Sequence, residues 1–282
     1  MIIPREPQCP AAVAAHYDRL DLFYREIWGE HIHHGYWLEG RESPAEAAEA
    51  MVELVATRLR LAGGQQVCDI GCGYGATAQR LATMHGVSVT GLTISAAQHA
   101  VAQRRVVSRG SLAFHLEDWV DNTLGSASFD RAYAIESTEH MEDKQRAFSQ
   151  AFRVLRPGGY LIVCAWLASP APAAWQVRHL LEPICQEGRL PGMGDEADYA
   201  EMLWGAGFTM LDCEDISRHV ARTWWVCLRR AATRLIADDR YRRFLRDRGE
   251  RDRIFALTMV RLLIAYRTGA VRYCLLTARR PD

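Results

Sequence analysis

Between residues 43 and 166, short apolar runs alternate with longer stretches whose apolar positions recur at helical spacing. In the first of these stretches, Met51, Leu54 and Val55 lie on one helical face. The apolar runs are five to seven residues long, which favours strands buried on both faces of a sheet. The predicted strands are 66–70, 87–92, 112–116, 129–135 and 160–166, and the predicted helices are 43–61, 76–82, 95–107 and 142–155.

The chain also carries signals for where these elements begin and end. Ser43 can cap the first helix, Pro44 suits its first turn, and Glu46 completes the capping pattern. The tetrapeptide "RPGG" at 156–159 is expected to end the last helix. Because strands and helices alternate at short intervals, the predicted fold class is α/β, a doubly wound, Rossmann-like parallel sheet with helices on both faces.

The alternation stops after residue 167. Mixed helices are predicted over about 170–206 and 217–268, around a strand near "FTMLDCEDI", and "VRYCLLTARR" predicts a last strand. These two late strands, the last of them antiparallel, would complete a seven-stranded sheet. The expected parts are an N-terminal helical lid at 1–42, the Rossmann-like core at 43–167, and a helical cap at 168–282 that also supplies the last two strands.

Composition and charge exclude several classes of function. Apolar residues make up 49% and charged residues 24% of the 282 residues, which is typical of a globular protein. The formal net charge is zero, so no global basic field attracts nucleic acid. The stretch "RYRRFLRDRGERDR" at 240–253 interleaves acidic residues and is expected to be a solvated helix face. No run of about 18 apolar residues occurs, so membrane insertion is not expected.

Eight cysteines are scattered along the chain, and several fall in strand-like apolar runs. Cys68 and Cys72 lack a second cysteine or histidine pair at ligand spacing, which argues against a zinc site. The opening "MIIPREPQCP" has no long apolar stretch after a basic start, so no secretory signal is expected. These features favour free thiols in a cytoplasmic protein. The sequence leaves a monomer and a homodimer equally open.

The most informative segment is "QQVCDIGCGYGATAQRLA", in which a strand, a glycine turn and a helix follow one another. Gly71, Gly73 and Gly75 give the spacing G-x-G-x-G, which differs from the G-x-G-x-x-G fingerprint of dinucleotide sites. The Gly-Lys-Ser/Thr of a phosphate-binding loop is also missing. Asp69, just before the turn, would repel a phosphate and would suit a cationic amino group.

The pattern D-x-G-x-G-x-G after a strand resembles the first motif of class I S-adenosylmethionine-dependent methyltransferases. The next strand ends in "GLTISAAQ", which looks like the subgroup that contains tocopherol C-methyltransferases and cyclopropane fatty acid synthases. There, the threonine region and the glutamine replace the acidic residue that contacts the ribose in many related enzymes. The segment "HYDRLDLFYREIWGEHIHHGYW" closely resembles the N-terminal lid of tocopherol methyltransferases. With "ADYAEMLWGAGF" and "EDISRHVARTWW", the resemblance covers almost the whole chain.

This resemblance implies S-adenosylmethionine as the cofactor and assigns contacts to it. Glu117, Asp118 and Trp119 are expected to frame the adenine, and His33 is expected to touch the methionine end. The full set of expected cofactor contacts is Asp69, Gly71, Gly73, Thr93, Ile94, Gln98, Glu117, Asp118, Trp119, Ile135 and His33.

The segment "HIHHGYW" places His31, His33 and His34 within four residues. A metal site would need further acidic or thiol ligands at fixed geometry. The family uses this segment as part of the lid over the cofactor, so no metal is expected.

His140 follows the fourth strand on the ligand side of the sheet and is the expected general base, with a reference pKa of about 6.5. Glu139 is the neighbouring candidate, since the matching glutamate of cyclopropane synthases helps to hold a bicarbonate. Tyr24 aligns with a tyrosine that pairs with this histidine in phosphoethanolamine methyltransferases, so it is expected to latch the lid and orient His140. The expected acceptor contacts are Tyr17, Trp224 and Trp225.

These features predict a methyltransferase of secondary metabolism whose acceptor is small and largely apolar, such as a polyketide or other aromatic, an indole or a terpenoid. Carbon, nitrogen and oxygen acceptors all occur in the subgroup. The alternatives are a cyclopropane-forming lipid enzyme, a methyltransferase-fold cyclase, and a non-catalytic cofactor-binding module. Against the lipid enzyme, position 34 is histidine where those enzymes usually carry cysteine.

Overall fold

The computed structural model describes residues 1–247 and 255–282, which fold around a seven-stranded sheet. The strands are β1 (Gln66–Ile70), β2 (Ser88–Thr93), β3 (Ser111–Leu116), β4 (Phe129–Ile135), β5 (Leu155–Ala168), β6 (Thr209–Asp215) and β7 (Val271–Arg279). Their order across the sheet is β3-β2-β1-β4-β5-β7-β6. The first five strands pair in parallel, and β7 runs antiparallel to β5 and β6. The predicted doubly wound sheet with an antiparallel last strand is therefore confirmed.

Helices surround the sheet and cross its carboxyl edge. They are α1 (Pro10–Ile27), α2 (Pro44–Leu59), α3 (Ala76–His85), α4 (Ala96–Ala102), α5 (Lys144–Val154), α6 (Ala174–Gln176), α7 (Glu182–Glu187), α8 (Glu196–Gly205), α9 (Ser217–Val220), α10 (Arg222–Ala237), α11 (Asp239–Arg246) and α12 (Phe255–Arg267). Parts of the predicted helical stretch at about 217–268 and of the arginine-rich stretch 240–253 lie outside the described residues. Within residues 1–247 and 255–282, none of the helices combines the length and the apolarity that crossing a bilayer requires.

Local signals place the start of α2 and the end of α5. The Ser43 hydroxyl accepts a hydrogen bond from the Glu46 amide at 3.2 Å, and the Glu46 carboxylate accepts one from the Ser43 amide at 2.7 Å. The helix α5 ends at Val154, before "RPGG", as predicted. Residues 156–159 already belong to β5, so this strand begins before its predicted start at residue 160. The helix α4 stops at Ala102, short of its predicted end.

Two apolar clusters hold the sheet between its helices. Phe148 and Ala151 of α5 pack into the cluster on one face, and Met51 and Val55 of α2 pack into the cluster on the other. The direction of chain progression reverses between β1 and β4, which are neighbours in the sheet. In an open α/β sheet, this reversal leaves a crevice at the carboxyl ends of the strands, where ligands bind.

The helix α1 covers this crevice and is fastened to the loop after β2. One carboxylate oxygen of Asp18 accepts hydrogen bonds from the Ser95 hydroxyl at 2.5 Å and from the Ala97 amide at 3.1 Å. The hydroxyl of Tyr74, which lies within the glycine turn, donates to the main-chain carbonyl of Asp21 at 3.2 Å. These contacts connect α1 to both loops that border the crevice. The division into a lid, a core and a cap at residues 42 and 167 stays a prediction.

Candidate active site

A cavity of about 360 Å³ opens at the carboxyl ends of β1, β2 and β4, within the size range of small-molecule sites. All eleven residues predicted to contact the cofactor line it, together with Tyr17 and His140. Glu139, Tyr24, Trp224 and Trp225 are not among its lining residues. The fold thus gathers the predicted cofactor set around one cavity, while four of the other predicted site residues lie elsewhere.

The glycine turn after β1 borders the cavity and packs closely against neighbouring strands. Gly71 has φ +80°, and a Cβ at this position would lie 2.4 Å from the Cβ of Ser137, which follows β4. Gly75 caps α3 with φ +71°, and a Cβ there would lie 2.7 Å from the Phe114 ring of β3. Both positions require glycine, because the backbone is left-handed and the neighbouring side chains leave no room.

Asp69 places a buried carboxyl group on the cavity wall. It is 3% exposed, and its Oδ2 has no hydrogen-bond partner within the described residues. Burial raises the pKa of this carboxyl to about 7, against a smaller lowering effect of the Tyr133 hydroxyl. A buried carboxylate is costly unless a partner neutralises it. The orphaned oxygen therefore fits the ammonium group that the motif predicts as its ligand.

The loop after β2 carries a network of hydroxyl and amide groups. The Thr93 hydroxyl donates to Oε1 of Gln98 at 2.8 Å and accepts from the Ser95 amide at 3.2 Å. The Ser95 hydroxyl caps α4 by accepting from the Gln98 amide at 3.1 Å. This network holds the buried Gln98 side chain against the cavity, beside Ile94.

The residues predicted to frame an adenine follow β3 and are held by the protein itself. One oxygen of Asp118 accepts a main-chain hydrogen bond at 3.0 Å and caps a short 3₁₀ turn. The Glu117 carboxylate accepts from the Thr123 amide at 3.0 Å. The buried Trp119 indole donates to the Ala147 carbonyl at 2.9 Å. This wall of the cavity is therefore preformed.

The three histidines of "HIHHGYW" have different partners. Nδ1 of His31 and Nε2 of His33 each lie 3.3 Å from the Thr77 hydroxyl in the first turn of α3. Burial lowers the pKa of both rings, that of His31 to about 3. His34 is instead fully buried against Glu136. In the described part of the chain, no three potential metal ligands converge.

His140 lies in the short turn after β4 and faces the cavity. Its Nδ1 is 3.4 Å from the carbonyl of Arg189, which can only accept, so Nδ1 carries the proton. Its Nε2 then accepts from the Tyr17 hydroxyl at 2.9 Å. Arg189 presents this carbonyl from a left-handed backbone conformation, with φ +57°. Burial lowers the pKa of His140 to about 4, which keeps the ring neutral near pH 7.

The predicted contact between Tyr24 and His140 is replaced by the Tyr17 contact. The Tyr24 hydroxyl lies 3.0 Å from Nε2 of His16 instead. Tyr17 and Tyr24 lie seven residues apart on one face of α1, with ring centroids separated by 5.2 Å. The way in which α1 docks decides which of the two rings reaches His140.

Glu139 points away from the cavity, although it precedes His140. It is 2% exposed, and its carboxyl oxygen accepts from the Trp166 amide of β5 at 2.7 Å. Burial raises the pKa of Glu139 to about 8, so this carboxyl is protonated near neutral pH. Its position behind the turn gives it no contact with the cavity that His140 faces.

The two tryptophans predicted near an acceptor pocket have other surroundings. Trp224 is 1% exposed and packs against Trp28, His34 and Trp166, with ring centroids 5.3 to 5.5 Å away. Trp225 is 58% exposed on the outer side of α10. Successive helical residues point about 100° apart, so one ring faces the core and the next faces solvent.

Glu136 lines the cavity, but its carboxylate is not among the predicted site residues. Its two carboxylate oxygens accept from the His34 amide at 2.6 Å and Nδ1 at 2.9 Å, from the Trp166 indole at 2.9 Å and from the Tyr273 hydroxyl at 2.8 Å. Burial alone would raise the pKa of Glu136, but His34 and the hydrogen bonds outweigh it and hold the pKa at about 2. The available signal in the sequence was a charged residue at the end of an apolar strand, in "AIES". This signal does not indicate which groups donate hydrogen bonds to the carboxylate.

Residues 6–244 match the family model of mycolic acid cyclopropane synthetase. The chain belongs to this family. It is 33% identical over 284 residues to 27-O-demethylrifamycin SV methyltransferase of Amycolatopsis mediterranei, covering 97% of this chain and 98% of that protein. The structure of the [4+2]-cyclase SpnF matches with a TM-score of 0.81 and 31% identity, over 99% of this chain and 98% of that one. Mycolic acid cyclopropane synthase CmaA1, complexed with SAH and CTAB, shares the fold with a TM-score of 0.82 at 22% identity, over 97% and 99% of the two chains.

Membership of the cyclopropane synthetase family confirms the class predicted from the motifs. The chain is an S-adenosylmethionine-dependent methyltransferase, and its similarity to a rifamycin methyltransferase agrees with a role in secondary metabolism. The orphaned oxygen of Asp69 and the close-packed glycine turn fit the amino end of this cofactor.

Proposed function

We propose that the enzyme transfers a methyl group to a hydroxyl of a small, largely apolar acceptor, with His140 as the general base. The carrying observation is the position of the His140 imidazole on the cavity wall, where its Nδ1 lies 3.4 Å from the Arg189 carbonyl. This leaves Nε2 with a lone pair for a hydroxyl proton. A full-length relative whose name specifies an oxygen acceptor supports a hydroxyl over carbon or nitrogen.

S-adenosylmethionine, when bound, supplies an electrophilic methyl group on a sulfonium. The chain would hold this cofactor through the Asp69 carboxylate at its ammonium group, and through Thr93 and Gln98 at its ribose. Asp118 and Trp119 would frame the adenine. All five residues line the cavity that His140 faces, so the methyl group and the base would share one enclosed space.

During transfer, Nε2 of His140 accepts the proton that the acceptor hydroxyl loses. The Arg189 carbonyl then keeps its hydrogen bond to Nδ1 and stabilises the imidazolium that forms. Tyr17 occupies Nε2 until the acceptor hydroxyl replaces it. Because α1 covers the crevice, it also excludes water from the reacting atoms.

Calorimetric titration with S-adenosylmethionine and S-adenosylhomocysteine comes first in the test. Formation of S-adenosylhomocysteine is then measured with phenols, polyketide-derived alcohols, indoles and apolar amines. His140→Ala should bind S-adenosylhomocysteine as the wild type does and lose at least about a hundredfold in turnover. His115→Ala, at a side chain 43% exposed on β3, is the matched control. Unchanged turnover in His140→Ala would remove His140 as the base.

A second candidate is a cyclase, favoured by the 31% identity to the [4+2]-cyclase SpnF along almost the whole chain. A cyclase would convert its substrate without forming S-adenosylhomocysteine, whereas a methyltransferase forms one equivalent for each product. Sedimentation with phosphatidylglycerol vesicles tests the remaining lipid-enzyme alternative. Binding to the vesicles, together with modification of an acyl chain, would favour it over a small acceptor.

A further inference from the structure

Lys144 is the only lysine in the chain, since the other 33 of its 34 lysine and arginine residues are arginines. It is the first residue of α5 and is only 3% exposed. Burial of an ammonium group is unfavourable, and a cation in the first turn of a helix opposes the helix dipole. Contacts specific to this position must therefore compensate for the unfavourable burial of the ammonium group.

The ammonium group of Lys144 joins two main-chain carbonyls. It donates to the carbonyl of Met141 at 2.8 Å and to the carbonyl of Glu139 at 3.2 Å. These two residues stand on either side of His140. The Glu139 carbonyl belongs to the peptide group that precedes His140, and the Met141 carbonyl belongs to the peptide group that follows Met141. A bridge between them holds the two ends of the turn that carries His140, and this turn sets the direction in which the imidazole side chain leaves the backbone.

The positive charge of Lys144 also affects the pKa of His140. Four groups face His140: His16 and Tyr17 of α1, Glu136 after β4, and Lys144 of α5. Lys144 is itself faced by Glu139 and by Cys185 of α7. After burial, which lowers the pKa of His140 most strongly, Lys144 and His16 lower it further, and Glu136 raises it. Removal of the Lys144 charge should therefore raise the pKa of His140.

We infer that Lys144 is a positioning residue for His140, whose ammonium group bridges the carbonyls of Glu139 and Met141 and so holds the imidazole toward the acceptor. A lysine ammonium is a compact donor that can serve both carbonyls from one point, whereas a planar guanidinium spreads its donors over a wider fork. The inference rests on the proposed function only in taking His140 as the base. The bridge itself is a property of the folded chain without ligands.

The first test compares Lys144→Met with Lys144→Arg. Methionine keeps an unbranched apolar stem but removes the donors and the charge, and arginine keeps the charge on a larger group. Since Lys144 does not line the cavity, both variants should bind S-adenosylhomocysteine with a wild-type Kd. Their kcat should fall at least about tenfold, and in Lys144→Met the acid limb of the kcat/KM profile should move to higher pH. Arg146→Met, at a side chain 54% exposed two residues further along α5, should change neither quantity.

The second test needs no activity, because lysine labelling gives a single side-chain signal. In wild-type protein labelled with ¹⁵N-lysine, the Nζ protons should be protected from exchange near neutral pH by the two carbonyls. A rapidly exchanging signal would overturn the inference, and this holds even if Lys144→Met fails to fold. Histidine spectra, with His140 assigned from His140→Ala, should show a higher pKa for His140 in Lys144→Met.

The outcomes separate this inference from the proposed function. A raised pKa of His140 in Lys144→Met, together with unchanged turnover in His140→Ala, would support the contact between Lys144 and His140 and remove His140 as the base. An unchanged pKa of His140 together with unchanged kcat in Lys144→Met would overturn the positioning role. A fall in kcat in Lys144→Met with no change in the pKa of His140, or a fall shared by Arg146→Met, would also count against it.

Discussion

The hydroxyl of Tyr17 lies 2.9 Å from Nε2 of His140, although the two residues are 123 positions apart in the chain. This hydrogen bond joins the helix that covers the cavity to the turn that carries the expected base. Both side chains line the cavity, so the contact closes it on the side of α1.

Tyr17→Phe removes this hydrogen bond and keeps the ring. A hydrogen bond of this kind contributes about 1 kcal/mol, so the affinity for S-adenosylhomocysteine should fall about fivefold in calorimetry as α1 loosens. Tyr24→Phe is the matched control, because its hydroxyl meets His16 and not His140. Equal losses in the two variants would mean that the Tyr17 contact has no special role in holding α1 over the cavity.

Affinity for S-adenosylmethionine should increase with pH through about 7. Burial raises the pKa of Asp69 to about 7, so at lower pH the carboxyl is protonated and must lose its proton to pair with the ammonium group. The affinity should therefore fall by up to about tenfold for each pH unit below 7. Calorimetry over this range should show weaker binding by Asp69→Asn and a flatter pH profile. A wild-type profile parallel to that of Asp69→Asn would exclude Asp69 as the titrating partner.

Gly71→Ala should destabilise the protein mainly through a collision. Its Cβ would lie 2.4 Å from the Cβ of Ser137, whereas Gly64, with a similar φ of +83°, has open space around it. Gly64→Ala should therefore report the backbone strain alone, about 1 kcal/mol, and Gly71→Ala should cost about 3 kcal/mol in urea unfolding. Adding Ser137→Gly to Gly71→Ala should recover most of the difference. No recovery would show that the collision is not the cause.

The features that the sequence predicts correctly are those encoded in neighbouring residues. The start of α2 follows from Ser43 and Glu46, which are three residues apart and satisfy each other. The glycine turn follows from a strand, Asp69 and three glycines in one short segment. Each of these depends on backbone conformation within a few residues, so the rest of the fold hardly alters it.

The features that sequence reasoning misses depend on how distant elements dock. Tyr17 and Tyr24 share one face of α1, and only the contacts of α1 with the core decide which ring meets His140. The carboxylate of Glu136 gathers donors from the loop before α2 and from β5 and β7, which are far apart in the chain. Helical spacing and strand patterns contain no information about such partners.

Glu136→Gln should destabilise the fold by about 3 kcal/mol near pH 7. Four donors converge on the two oxygens, so the amide nitrogen of glutamine would face donors and leave them unpaired. Urea unfolding measures this loss, with Glu142→Gln as a control at an exposed neighbouring carboxylate. A loss no larger than that of Glu142→Gln would contradict the expected role of the buried carboxylate.

The same variant should show a specific pH dependence. The pKa of Glu136 is about 2 in the folded protein, below its value of about 4.3 in an unfolded chain. Its stabilising contribution is therefore fully present above about pH 5 and is lost as the pH falls toward 2. The difference in unfolding free energy between wild type and Glu136→Gln should shrink over that interval. If the difference in unfolding free energy stayed constant over this interval, the loss in Glu136→Gln would come from the shape of the new side chain and not from the missing charge.

The partner of Nδ1 of His140 is the main-chain carbonyl of Arg189, turned toward the ring by a left-handed backbone. Replacement of the Arg189 side chain leaves a main-chain acceptor in place as long as the backbone keeps its conformation. The tautomer of His140, the proposed base, therefore does not depend on which side chains occupy the segment after α7. Natural or directed evolution can therefore change the side chains of that segment without moving the proton from Nδ1 of His140.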